Sequence, residues 1–258
     1  MKQVLLVSRN LGSGLGSTSR LFLWGTFKSI VDHSKYYPKK PILVHLNDQT
    51  FPFHFRKFSD FGLAYEILIE NSYKLNIHPE NDSVHCIIDL GANSGISALY
   101  FRSLFPNSEI ICFEPDPNSF NQLNTNAELL GNVKAYQTIV SNQIGEIDFH
   151  VDPISSVTSS LVKRNGRQIA VKINTKCLNS VVDHLKKQIN ILKIDIEGSE
   201  EIVMEHFIMF DKIDKLIGEI HFDLCDGQKV LEKIKSNFDL VEIHPISDDR
   251  CYVIASHS

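Results

Sequence analysis

Two hydrophobic periods divide the chain. From Val84 onward, short runs of consecutive apolar residues alternate with longer stretches in which apolar positions recur three or four residues apart. Continuous apolar runs suit strands buried on both faces, and the longer period suits helices that cover them. Their alternation predicts an α/β domain with a doubly wound, mostly parallel sheet. The strands expected are 86–90, 109–114, 133–140, 191–196 and 215–221, with 240–244 and 251–255 as a late antiparallel pair, seven in all. The helices expected are 94–104, 117–130, 180–187, 199–210 and 228–237. Residues 145–151 read as a hairpin extension, and 155–160 as a polar, serine-rich loop.

The first 80 residues lack that alternation and mix aromatics, prolines and glycines. They predict an α+β extension over 1–80 ahead of a catalytic domain over 81–258. Within it, helices are expected at 18–33 and 60–74, and a hairpin of 42–46 with 51–55 turning at Asn47-Asp48. Its aromatics, Tyr65, Tyr73 and the run from Phe51 to Phe58, read either as a lid or as the apolar underside of packed helices. Trp24 is expected at an exposed position, where segment 18–33 would support a homodimer. Gly12-Ser13-Gly14-Leu15-Gly16 has the look of a phosphate loop but lacks its lysine, so a flexible linker is expected there.

Charge narrows the function. Hydrophobic residues are 43% of the chain and charged residues 22%, enough apolar surface for a folded core. The net charge of −5 is spread along the chain without a basic stripe, which disfavours nucleic acid as a partner. Five scattered cysteines without CxxC spacing argue against a disulfide framework or a zinc site and for a reducing compartment. No apolar run approaches the ~20 residues of a transmembrane segment, so a soluble, cytoplasmic protein is expected.

The strongest local signal is Ile87-Ile88-Asp89-Leu90-Gly91-Ala92-Asn93-Ser94-Gly95-Ile96, a buried strand entering a glycine-punctuated turn that starts a helix. In an open α/β sheet such a turn lies at the ligand edge. A second carboxylate, Glu114, ends the next strand, where an acidic side chain accepts hydrogen bonds from both ribose hydroxyls. The pair reads as an adenosine site. A dinucleotide fingerprint has glycine where Asn93 stands, because the backbone must touch a pyrophosphate there, and Asp89 would repel phosphate while favouring a cation.

Three segments together resemble the FkbM family of methyltransferases: 88–95, Phe113-Glu114-Pro115-Asp116-Pro117, and Leu192-Lys193-Ile194-Asp195-Ile196-Glu197-Gly198-Ser199-Glu200. The likeness runs in matching order from about residue 60 to 221 and leaves the first 55 residues or so unmatched. It implies a class I methyltransferase (Rossmann-like) fold, S-adenosylmethionine as donor, and O-methylation of a hydroxyl on a sugar, glycan or natural-product acceptor. It also implies that Asp89, Gly91, Asn93 and Gly95 line the methionine end of the site, that Glu114 binds ribose, and that Asp116 and Ser141 lie nearer adenine. A nicotinamide-dependent oxidoreductase and a non-catalytic adenosine-binding module are the alternatives.

Methyl transfer to a hydroxyl needs an acceptor held in line and a base. Residues two apart on a strand face the same side, so Asp195 with Glu197, and Glu219 with His221, are expected to converge. His221 is the first choice of base, because imidazole titrates near neutrality, with Asp195 and Glu219 orienting it or the acceptor; Lys193 belongs to the same catalytic set or pairs with Asp195 or Glu197. A divalent metal, Mg²⁺ or Mn²⁺, would fit Asp195, Glu197, Glu219 and His221 without being required by them.

Overall fold

The computed structural model describes residues 1–30, 39–75, 84–151 and 168–258. Twelve described strands, β1 to β12, and eight α-helices, α1 to α8, are numbered in chain order. The central sheet has seven strands in the order β11-β12-β10-β9-β3-β4-β5. Five are parallel: β3 (Cys86–Leu90), β4 (Glu109–Phe113), β5 (Val133–Tyr136), β9 (Ile189–Ile194) and β10 (Ile213–His221). The last two, β11 (Leu240–Ser247) and β12 (Arg250–Ser256), form an antiparallel hairpin that closes on β10. Every side chain of β3 is buried, as a central parallel strand with both faces covered requires.

Helices alternate with these strands. After β3 comes α4 (Ile96–Leu104), after β4 α5 (Pro117–Leu130), before β9 α6 (Leu178–Leu185), after β9 α7 (Glu200–His206) and after β10 α8 (Gly227–Lys235). From β3 the chain steps outward through β4 and β5, then returns to lay β9 on the other side of β3. The reversal opens a crevice at the carboxyl ends of β3, β4 and β9.

One expected strand divides. Residues 133–140 form β5 in the main sheet and a separate β6 (Ile139–Ser141) that pairs with β8 (Ile169–Cys177). β7 (Gly145–Val151) pairs antiparallel with β8, completing a small three-stranded sheet with its own core of Ile139, Phe149, Val151 and Ile173. The half-buried alternation of β5 fits an edge strand, whereas all of β6 is buried, so the two cannot share one face pattern. The polar loop expected at 155–160 lies outside the described residues.

Before the sheet, α1 (Lys2–Leu11) and α2 (Gly14–Ile30) form a hairpin whose inner side contributes Val4, Val7, Leu11 and Leu21. The glycine segment expected as a linker is the tight corner between these helices. A Cβ on Gly12 would stand 2.3 Å from the Thr18 hydroxyl, and Gly14 to Gly16 already belong to α2. Trp24 is buried, its indole N–H donating to the Phe55 carbonyl at 2.5 Å, so it offers no surface for self-association. β1 (Ile42–Leu46) and β2 (Gln49–Phe53) pair antiparallel around Asn47 and Asp48, both at positive φ as a two-residue hairpin turn demands. α3 (Ser59–Ala64) continues into a π turn over Tyr65–Ile69. One hydrophobic cluster joins Val4, Leu21, Phe53, Phe55 and Phe61 to Ile87, Phe101 and Ile110 of the sheet layer. A second, built on Ile88, Leu192, Val203 and Ile220, fills the opposite face.

Candidate active site

A cleft of about 660 Å³ opens where β3, β4, β9 and β10 end. Its floor is the turn after β3, tied to β4 because the Gly91 and Ala92 N–H groups both donate to the Phe113 carbonyl, at 2.9 and 3.1 Å. Gly91 has φ of +76°, and a Cβ there would fall 1.7 Å from the Asp195 carbonyl oxygen. No other residue fits where this turn passes the end of β9.

Glu114 stands beside the turn. One carboxylate oxygen accepts from the Asn93 N–H and the other from the Asp116 N–H, both at 2.8 Å, so each keeps lone-pair capacity. Burial, with Asp116 beside it, pushes this carboxyl up to about 8 against the pull of those two donors. Asn93 also lines the cleft, and its buried side-chain oxygen has no hydrogen-bond partner.

Four residues expected to line the cofactor site are used otherwise. Asp89 is fully buried beneath the turn, where its carboxylate lies 3.1 Å from the Lys193 ammonium and accepts from the Ser97 hydroxyl at 2.5 Å. Gly95 starts α4 against Leu123, and a Cβ there would meet that side chain at 3.2 Å. Asp116 caps α5, accepting from the Asn118 and Ser119 N–H groups at 2.9 Å. Ser141 is buried with its hydroxyl on Asn142, and Thr138, Ile139 and Val140 line the cleft in its place.

Lys193 is itself buried and donates to the Leu90 and Gly91 carbonyls at 3.1 and 2.7 Å. Burial alone would lower its pKa, but Asp89 and Asp195 outweigh it and hold the ammonium above its usual value. It is a fixed cation that braces the turn.

The acidic cluster forms by a different route from the one expected. β9 ends at Ile194, and Asp195 and Glu197 lie on the following turn, with Glu197 at φ of +53° and Gly198 at +96°. Donor atoms of Asp195, Glu197 and His221 nevertheless lie within 4.8 Å of one another, an arrangement able to hold a metal ion. Glu219 is a fourth neighbour, 3.6 Å from His221 Nε2. The other nitrogen of His221, Nδ1, is 2.9 Å from Glu200, a buried carboxylate that also accepts from the Ile196 and Gly198 N–H groups. Burial opposes charge on the imidazole, but the Glu200 hydrogen bond, Asp195 and Glu197 prevail and raise it to about 9. That shift favours the imidazolium, the form that lacks the lone pair a general base offers. Burial and Asp195 push Glu219 up to about 8, against His221 and against Arg250, which lies 3.1 Å away.

Sequence reasoning missed Glu66, Glu200, Arg250 and Tyr252. Glu66 enters the cleft from the π turn, closed by the Glu70 N–H donating to the Tyr65 carbonyl at 2.9 Å, and it accepts from the Tyr252 hydroxyl. The apolar period of this segment reads as an ordinary helix, and nothing in it announces the extra residue. Seven acidic side chains now line one opening: Glu66, Glu114, Asp195, Glu197, Glu219, Asp223 and Asp249.

Comparison with known proteins gives three findings. A family model described as "Methyltransferase FkbM domain" matches residues 89–246. The chain is 26% identical over 185 residues to Methyltransferase 1 of Beauveria bassiana, covering 63% of this chain and 72% of that one. It is also 36% identical over 64 residues to the 2-O-methyltransferase NoeI of Sinorhizobium fredii, covering 25% and 26%. Among solved structures it is similar in fold to the fibrillarin/Nop5p complex, with a TM-score of 0.50, 11% identity, and 86% and 97% of the two chains covered.

Proposed function

This chain belongs to the FkbM methyltransferase family, with S-adenosylmethionine as its methyl donor, and we propose that its acceptor is a hydroxyl of an uncharged sugar, glycan or sugar-bearing natural product. The residues present fit the donor. Glu114 offers two oxygens with spare acceptor capacity to a ribose diol, and Asn93 lines the same cleft. The Gly91 turn keeps the floor clear of side chains. Bound there, the donor supplies a methyl group on a sulfonium, open to in-line displacement.

The observation that carries the acceptor reading is the acidic lining. Seven acidic side chains outnumber the cations Lys193, His221 and Arg250 in this lining, which disfavours phosphate and offers oxygens to hydroxyls, so it suits a polyhydroxylated, unphosphorylated acceptor better than nucleic acid. The 2-O-methyl activity in the name of one relative supports oxygen as the acceptor atom. We assign the acceptor proton to the carboxylates Asp195 and Glu197, with the His221 imidazolium and Lys193 ammonium holding the surrounding charge in balance. The walls from the first 80 residues, Glu66 above all, and from β12, Arg250 and Tyr252, would orient the acceptor's remaining hydroxyls.

Incubation of the full chain with methyl-labelled donor and a panel of neutral sugars, amino sugars and RNA tests this. Label in alkali-stable ethers of neutral sugars is the expected result. Label only in RNA or only in amines would overturn the acceptor assignment.

A divalent ion on Asp195, Glu197 and His221 is a second reading of how the hydroxyl loses its proton, favoured by the closeness of those three donor atoms. Mn²⁺ titration of the protein, followed by electron paramagnetic resonance, distinguishes the two. Saturable binding lost in His221→Ala favours the ion, and no binding favours the carboxylates alone.

A further inference from the structure

The charges are not spread as the sequence total implies. Residues 1–40 carry seven lysines and arginines and one aspartate, leaving 19 basic against 30 acidic residues in the remainder. The molecule therefore has a cationic end and an acidic body. Of those seven basic residues, Lys2, Arg9, Arg20 and Lys28 lie on the α1–α2 hairpin, which carries no acidic residue, and its outer side is apolar. Leu5, Leu15, Leu23 and Ile30 are 54%, 89%, 67% and 78% exposed, and Phe22 lies on the same side. On a helix of 3.6 residues per turn, Leu15, Phe22, Leu23 and Ile30 fall in one stripe about 100° wide. Lys2, Arg9 and Arg20 are exposed on the same two helices, and the Arg20 guanidinium donates to the Lys40 and Pro41 carbonyls, which brings Lys39 and Lys40 alongside α2.

We infer that this face docks on an anionic lipid surface. Large exposed apolar side chains in a stripe, flanked by cations on helices that lie along the protein, are what an interfacial helix presents to headgroups and the upper acyl region. None of the described helices is long and apolar enough to cross a membrane, so the contact is peripheral. Charge complementarity fixes both occupant and orientation. An anionic bilayer attracts the hairpin and repels the acidic body, which turns the apolar stripe inward. A second copy of the chain docked symmetrically on the same stripe would set two cationic rims against each other. Gln3 of α1 lines the cleft, so the docking face and the active site share a helix.

Co-sedimentation of the full chain tests this with vesicles of phosphatidylcholine alone and of phosphatidylcholine mixed with phosphatidylglycerol. Binding to the anionic vesicles should exceed binding to the neutral ones by about tenfold or more, and fall by at least about tenfold in Leu15→Ser/Leu23→Ser and in Lys2→Glu/Arg9→Glu. All these side chains point away from the core and the cleft, so S-adenosylhomocysteine affinity should not change. That measurement also separates failure of docking from failure of the methyltransferase site. Equal binding to both vesicles, no binding to either, or a dimer in light scattering that Leu15→Ser/Leu23→Ser dissolves would overturn the inference.

Discussion

Glu200 and His221 are joined by a 2.9 Å hydrogen bond although one opens α7 and the other ends β10, 21 residues later. Glu200 also gathers the N–H groups of Ile196 and Gly198, so a single buried carboxylate shapes the turn that carries Glu197 and charges the imidazole that faces it. Removing that charge should be visible directly. In Glu200→Gln, the His221 ring should titrate at a pH clearly below the native value near 9, as followed by NMR of the imidazole protons. His221 contributes stability below its unfolded pKa near 6.5, and that contribution is lost as pH rises through about 9. In the variant this loss should move to lower pH.

Lys193 and Asp89 form a buried pair that braces the turn, and removing one member leaves the other uncompensated. Lys193→Met should cost about 3–5 kcal/mol in urea unfolding, whereas Lys193→Met with Asp89→Asn should recover at least half of that. A full loss in the double variant would mean that the lysine acts through the Leu90 and Gly91 carbonyls rather than through the charge.

Glu114 ties donor binding to pH. Its folded pKa near 8 lies above its ordinary value of 4.5, so the folded state holds a proton that the unfolded state releases. Stability from this group is fully present below about 4.5 and declines until pH passes about 8, by roughly 1.4 kcal/mol per pH between those limits. Affinity should run the other way, because the carboxylate is the form that accepts from both ribose hydroxyls. Calorimetry with S-adenosylhomocysteine should show tighter binding at pH 9 than at pH 6 in the native chain, and weaker binding with a smaller pH dependence in Glu114→Gln.

How much of this was legible depended on whether a residue's role is local. The buried strand 86–90, the turn after it and the acidic end of β4 follow from short sequence runs, and the structure has them in the expected sheet. The parallel core and the terminal hairpin followed from the change of period. What sequence could not supply was the direction of side chains and their long-range partners. Asp89 and Glu114 look alike in sequence, two carboxylates at strand ends, yet one is sealed under the turn by Lys193 and the other faces the cleft. Asp116 reads as a ligand residue until its position one residue before Pro117 makes it a helix cap. Glu66 and Tyr252 meet only because the π turn and β12 converge in space, a relationship with no signature at either position.

That last contact, between residues 186 positions apart, also sets a timetable. Synthesis at 5–20 residues per second separates the two by roughly 10–40 s. Throughout that interval Phe53, Phe55 and Phe61 have been made, while Tyr252 and Ile254, which pack against the same cluster, have not. The cleft wall is thus built first and secured last. A nascent chain halted before β12 would leave uncovered the part of that cluster which Tyr252 and Ile254 pack against.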